Sequence, residues 1–106
     1  MSYLNMLGFA QAAGAVVAGE GAVESALRKG RVQLVLLASD ASSNTTKRFR
    51  NLAQRFQVPF LVLPADKEEL GKSIGKGIRA VVGLTRHEFA RLVEQGVQNT
   101  ERAKNL

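Results

Sequence analysis

Lys72, Lys76 and Arg79 fall in one short stretch with three glycines, Leu70-Gly71-Lys72-Ser73-Ile74-Gly75-Lys76-Gly77-Ile78-Arg79. Glycine lets a backbone bend tightly and approach a ligand closely, and the cations add fixed positive charge. The chemistry this spacing suits is a grip on phosphate. The chain turns apolar at once from Val81 to Leu84, so the stretch is expected to be a loop leading into a core strand that holds it in place.

Other constellations are weaker. Gly71-Lys72-Ser73 has the ending of a P-loop, but the first glycine of that motif would fall at residue 66, where Asp66 stands. A P-loop also joins a strand to a helix, whereas this stretch leaves a helix and enters a strand, which disfavours nucleotide hydrolysis. Gly19-Glu20-Gly21-Ala22-Val23-Glu24 follows a short strand and opens a helix, with Asp40 where a ribose-binding acid would sit, but the third glycine of a dinucleotide motif is replaced by Glu24. A tight strand-to-helix turn is the better reading. His87 is the only histidine and there is no cysteine, so neither a thiolate metal site nor a nucleophilic triad has its parts. His87 is expected to be an exposed bystander, and no catalytic constellation is present. Phe49, Phe56, Phe60 and Phe89 fit core stripes, which leaves shape and phosphate contact rather than base stacking as the mode of nucleic-acid recognition.

The elements that must position these residues alternate. Tyr3 to Ala13 reads as a helix, Val16-Val17 as a short strand ended by Gly19, and Glu20 to Lys29 as a helix closed by Gly30. Val32 to Ala38 is apolar throughout, the pattern of a strand covered on both faces. Phe49, Leu52, Ala53 and Phe56 follow helical spacing, with Lys47, Arg48, Arg50 and Arg55 on the other faces. Phe60 to Leu63 is expected to be a second buried strand. Asp66 and Glu69 have capping-box spacing, as do Thr85 and Glu88, and Phe89, Leu92 and Val93 give a final helix an inward stripe. The pattern predicts a single-domain, three-layer α/β/α sandwich with a small mixed four-stranded sheet over residues 1–96 and a polar tail over 97–106 that frays. The turns after Val17, Ala38 and Leu63 are expected to meet the glycine-rich loop at one rim.

The 106 residues are 45% hydrophobic, enough for one core. Fifteen Lys and Arg against nine Asp and Glu give a net charge of +6, and the pI is near 10.3, which favours an anionic partner. No acid lies between Asp40 and Asp66 or between Glu69 and Glu88, windows that hold Lys47, Arg48, Arg50 and Arg55, and Lys72, Lys76, Arg79 and Arg86. The absence of cysteine and of a long apolar run sets the expectation of a cytoplasmic protein with no membrane segment.

Gly19-Glu20 opening a helix, Leu34 through Asp40, Val58-Pro59-Phe60, and Lys67 with Leu70-Gly71-Lys72 through Gly75 together resemble the kink-turn-binding ribosomal-protein family of the archaeal L-seven-Ae type. Within it, Leu37 through Ser42 followed by Asn44-Thr45 is most similar to the small bacterial YlxQ-like branch. The resemblance spans about residues 4 to 93. It implies a non-enzymatic protein, without cofactor or small-molecule substrate, that binds structured, sharply bent RNA in a ribosome-associated complex. By this resemblance the helix start that grips RNA falls on Gly19, Glu20, Gly21 and Ala22, and the family's contacting lysine falls on Ser25. Lys67, Lys72, Lys76, Ile78 and Arg79 complete the implied contact set. The chain departs from the family pattern at Gly21, Ala22 and Ser25, where base-reading polar groups are missing, and Glu20 places a negative charge near phosphate. The alternative is a protein-interaction module on the same fold that has lost specific RNA binding. A nucleotide-binding enzyme ranks behind both.

Overall fold

Three of the helices open on a side-chain cap. The Ser2 hydroxyl accepts the Asn5 N–H at 3.2 Å and opens helix α1, Tyr3–Ala12. After it come strand β1 (Val16–Ala18), helix α2 (Glu20–Arg28) and strand β2 (Leu34–Leu37). Ser42 caps α3 (Ser43–Arg55) through the Thr45 N–H at 3.1 Å. Strand β3 (Phe60–Val62) lies between the chain's two prolines, Pro59 and Pro64. Helix α4 (Lys67–Ser73) opens on the predicted capping box: Asp66 accepts from Glu69 N–H at 2.8 Å, and Glu69 accepts from Asp66 N–H at 3.1 Å. Strand β4 (Val81–Leu84) and helix α5 (His87–Lys104) complete the chain. This computed structural model describes residues 2–104, and side-chain surroundings through residue 100.

The sheet has the order β1-β4-β2-β3, with β4 antiparallel to both neighbours and β3 parallel to β2. Leu37 stands opposite both Val81 and Val62, and Ala18 opposite Val82. The C-terminal ends of β1, β2 and β3 therefore share a rim with the start of β4.

Side-chain alternation along β2 builds the two halves of the core. Leu34 and Leu36 pack with Leu7, Leu70 and Val93 of α1, α4 and α5, while Val35 and Leu37 pack with Val23, Leu27 and Phe49 of α2 and α3. All four β2 residues are at most 1% exposed, and each such side chain contributes about 2 kcal/mol by leaving water. This is the predicted α/β/α sandwich with its mixed four-stranded sheet.

Several boundaries differ from expectation. Leu70 through Ser73 is helix, so the loop is shorter and begins at Ile74. β3 is an edge strand rather than a buried one, because parallel pairing with β2 uses only one of its sides, and Val62 is 41% exposed. α5 starts at His87 rather than next to Thr85, and the Glu88 carboxylate pairs with Arg86 instead of closing a box with Thr85. Leu92 is 40% exposed; the inward stripe of α5 is Ala90, Val93 and Val97. Of the polar tail expected over 97–106, residues 97–104 belong to α5 and residues 105–106 lie outside the described residues. The helix continues to Lys104 because Gly96 lets α5 lie against Tyr3, where a Cβ would come within 3.0 Å of Tyr3 Cβ, and because Val97 is buried.

Candidate nucleic-acid interface

The rim gathers most of the predicted residues. Gly19 adopts φ 97°, a conformation few other residues reach, and its N–H donates to Val81 O at 2.9 Å, tying the start of α2 to the start of β4. No side chain caps α2, which leaves the N–H groups of Glu20, Gly21 and Ala22 at an exposed helix start. Next to it, Ala38 N–H donates to Ala80 O at 2.9 Å and Ser39 N–H to Ala65 O at 2.8 Å. Asp40 is structural here: its carboxylate accepts the Lys67 N–H at 2.8 Å and fastens the start of α4 to the end of β2.

The cationic loop is laid back along α4. Lys76 N–H donates to Gly71 O at 2.9 Å and Arg79 N–H to Lys67 O at 3.1 Å, so residues 76–79 run from the end of the helix to its beginning. Gly71 is buried at this crossing, where a Cβ would stand 1.8 Å from Gly77 O. Its role is space for the loop, whereas Gly75, at φ 69°, makes the turn. Ile74 is 3% exposed and anchors the loop below, while Lys76 is exposed and Ile78 is 66% exposed above. The Arg79 guanidinium donates to Ile78 O at 2.9 Å, which holds the loop tip. Lys67 and Arg79 are thus brought together at the rim. Lys72, on α4, lines a groove between α1 and α4 with Leu4, Asn5, Gly8 and Phe9.

The negative charge expected at the start of α2 is answered from α3. Arg48 Nη1 reaches Glu20 at 3.3 Å, and Arg48 Nη2 also pairs with Glu24, which binds Arg28 at 2.8 Å. Thr45 Oγ1 donates to Glu20 at 3.4 Å. The glutamates therefore turn toward α3, and the other flank of α2 is free of acid. On that flank Ser25 shares a groove with Lys29 and Arg31, two cations that sequence reasoning missed although Lys29 follows Ser25 by one helical turn. They bring positive charge to the side of α2 that carries Ser25.

The hydrogen bond from Arg28, with further help from Arg48, holds the Glu24 carboxyl below the usual carboxylate range. The native group keeps its charge to lower pH than the unfolded chain's would. The tie between α2 and α3 is complete above the ordinary carboxylate value and is lost as pH falls through the lowered native one. A carboxyl-carbon NMR titration should place the Glu24 midpoint below the ordinary 4.5, and Arg28→Ala should return it upward. An identical midpoint in both proteins would dismiss this pairing.

Among the described residues, no group of three or more His, Cys, Asp or Glu is placed to hold a metal ion, and no helix is long and apolar enough to cross a membrane. His87 is exposed, as expected.

A small basic α/β/α sandwich with an uncapped helix start and a cationic loop on one rim defines the class. Residues 1–94 match the ribosomal protein L7Ae/L30e/S12e/Gadd45 family, and the chain belongs to it. It is 41% identical over 90 residues to RNA-binding protein YlxQ of Bacillus subtilis (strain 168), covering 85% of this chain and 89% of the relative. It is 30% identical to RNA-binding protein YlxQ of Enterococcus faecium over 95 residues, 90% of each chain. Among solved structures, a protein with unknown function from Bacillus halodurans C superposes with a TM-score of 0.85 at 33% identity, covering 91% of this chain and 96% of that one. The Giardia lamblia 15.5kD RNA binding protein shares the fold, with a TM-score of 0.75 at 20% identity over 93% of this chain and 84% of that one.

Proposed function

We propose that this chain is a non-enzymatic RNA-binding protein of ribosomal type that holds a kink-turn or similarly bent RNA across the rim. The observation that carries this reading is the uncapped α2 start, tied by the Gly19 N–H to Val81 O at 2.9 Å at the first residue of β4, into which the cationic loop leads. Backbone N–H groups at a helix start, aided by the helix dipole, suit phosphate or a base edge. Gly21 and Ala22 leave that backbone open to close approach, and a Cβ built at Gly21 meets nothing within 4 Å. Lys67, Lys76 and Arg79 supply charge beside it, and exposed Ile78 offers an apolar cap for an unstacked base. With glycine and alanine in place of base-reading side chains, phosphate contacts outweigh base contacts, so affinity is salt-dependent and weakly sequence-specific. The family and the relatives described as RNA-binding proteins support the same reading. Cytoplasmic work in a ribonucleoprotein accords with it.

The test is a fluorescence titration against a kink-turn RNA and a straight duplex of equal length at several salt concentrations. Tighter binding to the kinked RNA is expected, and Ser25→Lys should strengthen it about three- to tenfold by adding one phosphate contact. Equal, strongly salt-dependent binding to both RNAs would reduce the function to general backbone binding. No binding to either would favour the protein-interaction reading.

A further inference from the structure

The outward face of α3 is not accounted for by the rim. Lys47, Arg50 and Arg55 stand there exposed, interleaved with exposed Asn44, Asn51 and Gln54. The face carries no acid, since none occurs between Asp40 and Asp66, and the nearby Glu20 and Glu24 are turned to Arg48. Among the described residues, Lys47, Arg50 and Arg55 have no carboxylate partner. The two arginines are steadied by rings instead, Arg50 at 5.5 Å over Phe60 and Arg55 at 5.6 Å over Phe56. A surface of ordered cations mixed with amide donors matches what a nucleic-acid backbone accepts. A protein partner of ordinary kind would want an apolar centre, but the large exposed apolar residues Phe9, Val62, Ile78 and Leu92 all lie outside α3.

The position of this face completes the argument. Thr45 ties the first turn of α3 to Glu20 at the start of α2, so the helix leads away from the rim. Thirteen residues of helix reach about 20 Å, enough to follow several successive phosphates. We infer that the outward face of α3 is a second, sequence-independent RNA-backbone surface, which takes the phosphates of a helical stem leaving the bent RNA at the rim. The inference rests on the RNA-binding function proposed above.

Two bent RNAs that share the kink but carry a short or a long stem test it, each titrated across salt with the full chain. Wild-type protein should bind the long-stemmed RNA about tenfold more tightly. The variant Lys47→Gln/Arg50→Gln/Arg55→Gln should bind both equally, with a log K against log salt slope shallower by about two to three units on the long stem. Lys47→Gln alone removes a side chain that stacks on nothing and should make that slope shallower by about one unit, which guards against a misfolded triple variant. A long-stem advantage that survives in the triple variant would overturn the inference. So would polyglutamate that binds wild type but not the variant, with RNA binding equal in both, since the face would then serve an acidic protein. Preference for short-stemmed bent RNA over a short straight duplex reports on the rim alone, so its loss marks failure of the proposed function rather than of this surface.

Discussion

Gly71→Ala is expected to destabilise the protein by about 3 kcal/mol or more and to lower its melting temperature by more than about 10 °C. A methyl group at this position would sit 1.8 Å from Gly77 O, 2.7 Å from Gly77 C and 3.2 Å from Arg79 N. These are backbone atoms, so no rotamer change relieves the overlap. Either the loop lifts from α4 or the helix shifts in the core, where Leu70 is fully buried. If the loop lifts, the Lys76 N–H bond to Gly71 O and the Arg79 N–H bond to Lys67 O are both lost, and RNA affinity falls with stability. Gly21→Ala is the contrast: it also lies in a helix, has open space around it, and should leave the melting temperature equal or slightly raised. Thermal melts of the two variants, with hydrogen exchange at the amides of Lys76 and Arg79, give the answer. A Gly71→Ala protein that melts like wild type and keeps both amides protected would refute the packing described for this crossing.

The second large effect concerns binding. Lys76→Ala with Arg79→Ala should weaken the complex with kink-turn RNA by about ten- to a hundredfold, or ~1.4–2.8 kcal/mol, and make its salt slope shallower by about two units. Lys76 is exposed and forms none of the ion pairs found among the described residues, so its removal disturbs no carboxylate. Arg79 does two things: its guanidinium clips Ile78 O at 2.9 Å, and its backbone N–H holds the loop to Lys67 O at 3.1 Å at the rim. Arg79→Lys keeps the charge without the planar fork, so it should recover most of the salt slope and less of the affinity. An unchanged isotherm in the double variant would remove the loop from the site.

What the sequence showed was whatever its neighbours along the chain decide. The apolar run around Leu34–Leu37 could only be a strand covered on both faces, and Asp66 with Glu69 announced the start of α4. The errors lie where distant residues decide. Gly71 looked like loop because glycine followed by lysine usually is; its need for space comes from Gly77, which returns over it only in three dimensions. Gly96 looked like a helix end because its partner, Tyr3, is at the other end of the chain. At the site, Glu20 read as a charge hostile to phosphate, and nothing local revealed that Arg48 on another helix would take it up. Of the cations beside Ser25, Lys29 could have been read from its spacing one helical turn on, whereas Arg31 lies beyond the end of α2 and only the fold brings it back to that groove.

The place of β3 at the edge of the sheet has a consequence for how these molecules behave in each other's company. An open strand edge is a template on which another chain can add itself, and repeated addition is how fibres grow. Here the template is three residues long and is closed at both ends by Pro59 and Pro64, which have no N–H to offer an incoming strand. The opposite edge, β1, is also three residues long and stops at Gly19, where the backbone turns away. Growth along either margin would stall after a single short pairing, so the sheet is guarded against self-assembly by the brevity of its borders.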